Sequence, residues 1–148
     1  MTFPNYFVFP GLKGEEGAVN LFAFSAYKNS GGLLESKQVL TYDVVNAGSD
    51  VLDKDSGSFT CKRGGTYLFT FSGDAASSSG YNIGVYVNNV RQMILYDGDD
   101  SSNKHLSFTW TLNLEEGDQV YLKIDNGQFY AYTDIPNFFN GFLLKASA

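Results

Sequence analysis

Apolar residues recur at every second position through most of this chain, and a period of two predicts strands rather than helices. In His105–Leu114 the residues Leu106, Phe108, Trp110, Leu112 and Leu114 share one face. Tyr67, Phe69 and Phe71 do so in Thr66–Ser72, and Phe22, Phe24 and Ala26 in Leu21–Tyr27. Further strands are predicted over Val39–Val45, Phe59–Cys61, Tyr81–Val87, Arg91–Tyr96, Gln119–Ile124 and Phe138–Lys145. Turn residues punctuate them at Gly64-Gly65, Asn88-Asn89, Gly117-Asp118 and Asp125–Gly127. Asn88-Asn89 predicts a tight hairpin, because Asn tolerates the left-handed backbone. Asp74–Gly80 reads as a small polar loop and Asp97–Lys104 as a charged one. The best helix candidate, Leu33–Val45, fails: Gly31-Gly32 precede it and Val39, Val44 and Val45 are β-branched. About ten short antiparallel strands at this spacing predict an all-β jelly-roll sandwich.

The first eighteen residues depart from this pattern. Phe3, Pro4, Tyr6, Phe7, Phe9 and Pro10 form an aromatic-proline lead. Gly11, Gly14 and Gly17 then follow at period three, the Gly-X-Y spacing of a collagen-like segment, where only Gly fits the crowded axis. A glycine-rich linker gives the same spacing. The expected organisation is therefore an N-terminal extension over 1–18, with a short collagen-like remnant, and one globular head over 19–148. So short a repeat cannot hold a triple helix, so any trimer is held by the head.

Composition sharpens the picture. The 148 residues suit one domain and include 13 Phe, 10 Tyr and 16 Gly but only 3 Pro. Aromatic strands and glycine turns fit a sandwich, and the aromatics exceed what one interior of this size needs. The net charge of −6 repels phosphate backbones, so nucleic acid is excluded as a partner. Lys62-Arg63, the only adjacent basic pair, falls in a turn. No apolar run is long enough to span a membrane. Met1-Thr-Phe-Pro lacks the basic start of a signal peptide, so the chain reads as a mature fragment or a protein without a leader. No Asn-x-Ser/Thr sequon occurs. Cys61 is the only cysteine, which rules out an internal disulfide; its place before a strand predicts a buried small hydrophobe.

Four segments, in order, carry a family resemblance. Ala23-Phe-Ser-Ala26 opens the first strand. Gly57-Ser-Phe-Thr-Cys-Lys-Arg-Gly-Gly-Thr-Tyr-Leu-Phe-Thr-Phe71 resembles G-x-F-x-C/A-x-x-x-G-x-Y-x-F-x-F. Leu114-Glu-Glu-Gly-Asp-Gln-Val-Tyr-Leu122 resembles L-x-x-G-D-x-V-[WY]-L, and Phe139-Asn-Gly-Phe-Leu-Leu144 resembles F-[ST]-G-[FY]-L-[LI]. Together they resemble the globular C1q domain family of the C1q/tumour-necrosis-factor-like superfamily. The resemblance implies a jelly-roll head assembled as a homotrimer and secreted. It implies ligand recognition without catalysis: multivalent, lectin-like binding of glycans or of microbial or cell-surface ligands, as in innate immunity. Two alternatives stay open. One is a signalling or adhesion ligand for a protein receptor; the other is a trimerisation cap of a collagen-like or matrix protein.

The candidate chemistry agrees with a non-enzyme. Asp97, Asp99 and Asp100 share one loop, and Glu115, Glu116 and Asp118 another; open loops do not drive carboxylate pKa values apart as acid–base catalysis needs. Asp118 reads as a turn residue. No His/Cys cluster suggests zinc, and no phosphate-binding loop or nucleophile elbow occurs. No cofactor is expected. The resemblance does imply a calcium position at Asp97, but its second ligand falls at Asn103 or Lys104, and a lysine there would put an ammonium in the metal's place. For ligands, Tyr130, Tyr132 and Asp134 combine flat aromatic faces with a hydroxyl acceptor, the chemistry of sugar binding. Tyr81, beside Asn82, offers the same. With Asp97, Asp99 and Asp100 these complete the candidate ligand-binding set, although such rings also pack in cores and subunit contacts.

Overall fold

A computed structural model describes residues 22–76, 80–97 and 104–148, and of Asp97 the backbone. No helix occurs among them. The strands are β1 (Ala23–Lys28), β2 (Gly32–Leu34), β3 (Val44–Ala47), β4 (Leu52–Asp53), β5 (Ser58–Thr60), β6 (Gly65–Ala75), β7 (Tyr81–Val87), β8 (Val90–Asp97), β9 (Lys104–Leu114), β10 (Gln119–Asn126), β11 (Phe129–Ala131) and β12 (Asn137–Ala146). They form two antiparallel sheets. One runs β2-β11-β6-β12-β1-β3, with β9 on the far side of β6; the other runs β4-β5-β10-β7-β8.

The predicted alternation sets which side chains lie between the sheets. Tyr67, Phe69 and Phe71 of β6 are fully buried, as are Phe139 of β12, Phe59 of β5 and Val85 of β7. Rings dominate this interior. Phe24 meets Phe59 at 5.1 Å and Phe139 at 4.8 Å, and Trp110 stacks on Phe69 at 5.8 Å. Each buried ring contributes about 1.5–3 kcal/mol relative to exposure. The turns follow their chemistry. Asn88 and Asn89 have φ of 51° and 69°, the two left-handed residues of a tight hairpin. Asp118 accepts the Glu115 N–H at 2.8 Å across Gly117. Cys61 is buried; its Sγ and the Tyr67 hydroxyl both donate to the Arg63 carbonyl, at 3.1 and 2.6 Å. Burial pushes its thiol pKa up.

Three readings change. Val39–Val45 is not one strand: Val39 bridges Lys123 of β10, whereas Val44 pairs with Tyr27 of β1 in the other sheet. The chain crosses between sheets at Thr41–Asp43. Asp74 belongs to the end of β6, not to a loop. Phe129–Ala131, which holds Tyr130, is a strand that is not among those predicted, and Phe129 is a core residue. The N-terminal extension lies outside the described residues.

Candidate functional site

The outer face of the seven-stranded sheet is built by the residues that alternate with the core. Register places Tyr27, Phe138, Ser72 and Ser107 in one row, and Ala23, Phe142, Leu68 and Thr111 in another. Between them run Ser25, Asn140, Thr70 and Thr109, with Asn140 Nδ2 donating to Thr70 Oγ1 at 3.2 Å. The face is thus divided. Its β1–β12 half carries exposed apolar side chains on either side of the Ser25–Asn140 row: Phe138 is 39% exposed, Phe142 43% and Leu144 55%, and the Phe138 ring meets Tyr27 at 5.9 Å. Its β9 half is lined with hydroxyls.

Tyr130 and Tyr132 lie at one end of this sheet. Phe129 is buried opposite Ala75, so the next residue, Tyr130, turns outward, as does Asp74. Tyr132 N–H donates to the Ile135 carbonyl at 3.1 Å and Ile135 returns the bond at 3.0 Å, so Thr133 and Asp134 form the tip of a tight turn. The rings of Tyr130 and Tyr132 are 6.0 Å apart and tilted by 40°. Tyr132 lies above Gly32, where a β-carbon would be 3.7 Å from its hydroxyl. Asn137, almost fully buried, pins the excursion by donating to the Tyr130 carbonyl at 2.9 Å. A β-carbon at Gly73 would collide with Asn137 Oδ1, so that glycine makes room for the pin. Tyr132 remains half exposed and Asp134 exposed.

The structure therefore places the Tyr130 and Tyr132 rings side by side, with Asp134 exposed in the turn that follows. Tyr81 is corrected: it is fully buried, its ring edge-on to Phe129 at 6.3 Å, and offers no face to a ligand. Its parity with Ile83 and Val85, both core residues, was the signal for this. Asp97 ends β8 opposite Tyr81. Asp99, Asp100 and Asn103 lie outside the described residues, so of the two alternatives for the second calcium ligand only Lys104 is described. Lys104 opens β9 opposite Ala75. Among the described residues no group of three or more His, Cys, Asp or Glu is arranged to hold a metal.

One pair was missed. His105 Nδ1 lies 2.8 Å from Asp74 Oδ1 on the same outer face. Reading Asp74 as loop concealed it. Hollows of about 470 Å³ at Gly65, Asn113 and Lys145, and of about 550 Å³ at Asp43, Val45 and Leu52, lie away from the Tyr130–Asp134 segment. This arrangement offers an open surface rather than a cleft, suited to shallow contact.

The model of the C1q domain matches residues 23–144. Caprin-2 of Danio rerio is 30% identical over 131 residues, covering 82% of this chain and 14% of that protein. Complement C1q tumor necrosis factor-related protein 2 of Mus musculus is 33% identical over 95 residues, covering 62% of this chain and 32% of that protein. The chain thus spans well under half the length of either relative. Among solved structures, the globular domain of zebrafish complement 1qA superposes with a TM-score of 0.69 at 24% identity, over 84% of this chain and 98% of that one. Eiger TNF from S. frugiperda gives 0.69 at 14% identity, over 86% and 95%. These likenesses show the jelly-roll fold.

Proposed function

The chain belongs to the C1q domain family, and on that premise we propose that it is a secreted recognition module, not an enzyme. It assembles as a homotrimer and binds glycans, or microbial or cell-surface ligands, multivalently. The observation that carries the assembly is the group of exposed apolar side chains on the β1–β12 half of the outer face on the seven-stranded sheet. Phe138, Phe142 and Leu144 stand exposed there although the interior is already filled with rings. Large apolar side chains left exposed together on one sheet face mark an interaction surface. Three copies place three Tyr130–Asp134 segments on one rigid body. Each is shallow and weak, and linkage of the three multiplies affinity without any new contact.

Sedimentation equilibrium should return three times the chain mass of 16.3 kDa at micromolar concentration. A stable monomer there would refute the assembly. A glycan array decides the ligand: binding that free sugar competes away, and that Tyr132→Ala weakens with the trimer intact, is the expected result. Capture of a protein receptor with no saccharide bound would replace the lectin-like reading with a signalling one.

A further inference from the structure

The outer face of the five-stranded sheet carries a second, denser cluster. Tyr86 of β7 and Tyr121 of β10 are register partners, and their rings lie parallel, 5.1 Å apart at 4°. Two residues further along β10, Lys123 holds its ammonium 5.0 Å from the Tyr86 ring centroid. Asp125, two further again, accepts the Tyr86 hydroxyl at 2.8 Å and pairs with Arg91 Nη1 at 3.0 Å. Opposite Lys123 is Gly84. A β-carbon there would collide with Asp125 Oδ2 and lie 2.7 Å from the Tyr86 ring. The missing side chain lets the carboxylate settle against the sheet and reach both partners.

The charges sort by depth. The Asp125 side chain is 11% exposed and Arg91 46%. The carboxylate is occupied inside the cluster, while the Arg91 guanidinium and the Lys123 ammonium stay partly exposed, with N–H groups beyond these contacts. Two cations against one anion leave this cluster positive on a chain of net charge −6. It lies across the sandwich from Phe138 and Phe142, so assembly through that strip leaves it open.

We propose that this face binds an acidic saccharide, with its carboxylate or sulfate between Arg91 and Lys123 and the apolar side of its ring against Tyr121. This rests on the recognition reading above and names a ligand class for it. Charge complementarity selects the anion, and a guanidinium held in place by Asp125 presents its remaining N–H groups in a preset orientation. The tyrosines favour a sugar over an acidic peptide, because a pyranose presents a rigid apolar face to an aromatic ring.

Polygalacturonate is the probe, with dextran as the neutral saccharide and polyglutamate as the acidic peptide, each titrated against the full chain. Polygalacturonate should bind, less tightly as salt rises. Lys123→Gln and Tyr121→Ala should each weaken it by about tenfold, the scale of one lost charged hydrogen bond or aromatic contact. Lys123→Arg should retain binding. Lys123→Gln leaves the Asp125 pair in place, so an unchanged melting curve makes its loss of binding local. Polyglutamate binding as tightly as polygalacturonate would overturn the saccharide assignment. Polygalacturonate that fails to bind, or binds both variants as it does the parent, would overturn the site. If neutral glycans still bind through Tyr132 while polygalacturonate does not, this proposal alone falls; if no saccharide of either kind binds, the recognition reading falls with it.

Discussion

Gly141 lies in β12 between Phe24 of β1 and Phe69 of β6. A β-carbon there would be 2.7 Å from ring atoms of both. Neither ring has room to retreat, since Phe24 packs on Phe59 and Phe139, and Phe69 on Trp110. Gly141→Val should therefore destabilise the head by about 1–3 kcal/mol, as in an overpacked core. Thermal unfolding measures this, and an unchanged melting temperature would mean that the rings yield. This glycine was legible in the sequence because Phe139, Gly141 and Leu143 share the inward parity of the last strand. Gly84 was not. Its role depends on which side chain from the neighbouring strand lies over it, and strand alternation says nothing about that. Tyr81 marks the opposite case: parity placed it in the core, but its neighbour Asn82 drew it into a binding motif.

At the scale of elements, strand existence followed from alternation, but partners did not. The run Val39–Val45 keeps its inward residues, Leu40 and Tyr42, buried while its backbone changes sheets. Side-chain parity survives such a crossing, so the sequence pattern shows no break. Asp43 holds the crossing in place. Its carboxylate accepts the Asn29 N–H at 2.8 Å and the Ser30 hydroxyl at 2.9 Å, which ties the turn after β1 to the start of β3. Burial alone would raise its pKa, but these hydrogen bonds, with Lys28 beside it, outweigh burial and lower it. A carboxyl whose folded pKa lies below its unfolded value adds stability above the unfolded value and loses it as pH falls through the folded one. Asp43→Asn should thus lose about 1 kcal/mol at neutral pH. The gap to the parent should close on acidification, from about pH 5 downward. Urea midpoints at neutral and acid pH test this; a gap constant with pH would show that the charge has no part in the crossing.

At the scale of the molecule, the sequence held the surplus of aromatic residues and the parity that sends Phe138 and Phe142 away from Phe139 and Leu143. It did not say that Tyr27 lies opposite Phe138 and Leu68 opposite Phe142 on one face, because that depends on the register of three strands brought together from distant parts of the chain. Phe142 tests what this face does. It is 43% exposed and stands opposite Leu68 and Ala23. The core does not depend on it, so Phe142→Glu should leave the monomer folded, with melting close to that of the parent. In a trimer the same ring is buried in every copy, and each burial contributes about 1.5–3 kcal/mol. Replacing it with a charge removes that term at three contacts and adds three carboxylates that must be desolvated or repel one another. The sedimenting mass of the variant should fall from three chains to one. Glycan binding by each chain should survive, while attachment to a densely coated surface weakens sharply, because linkage of sites is lost and not the sites themselves. A variant that stays trimeric would move the assembly to another surface. A parent already monomeric, with this strip still exposed, would make the strip a docking face for a different protein.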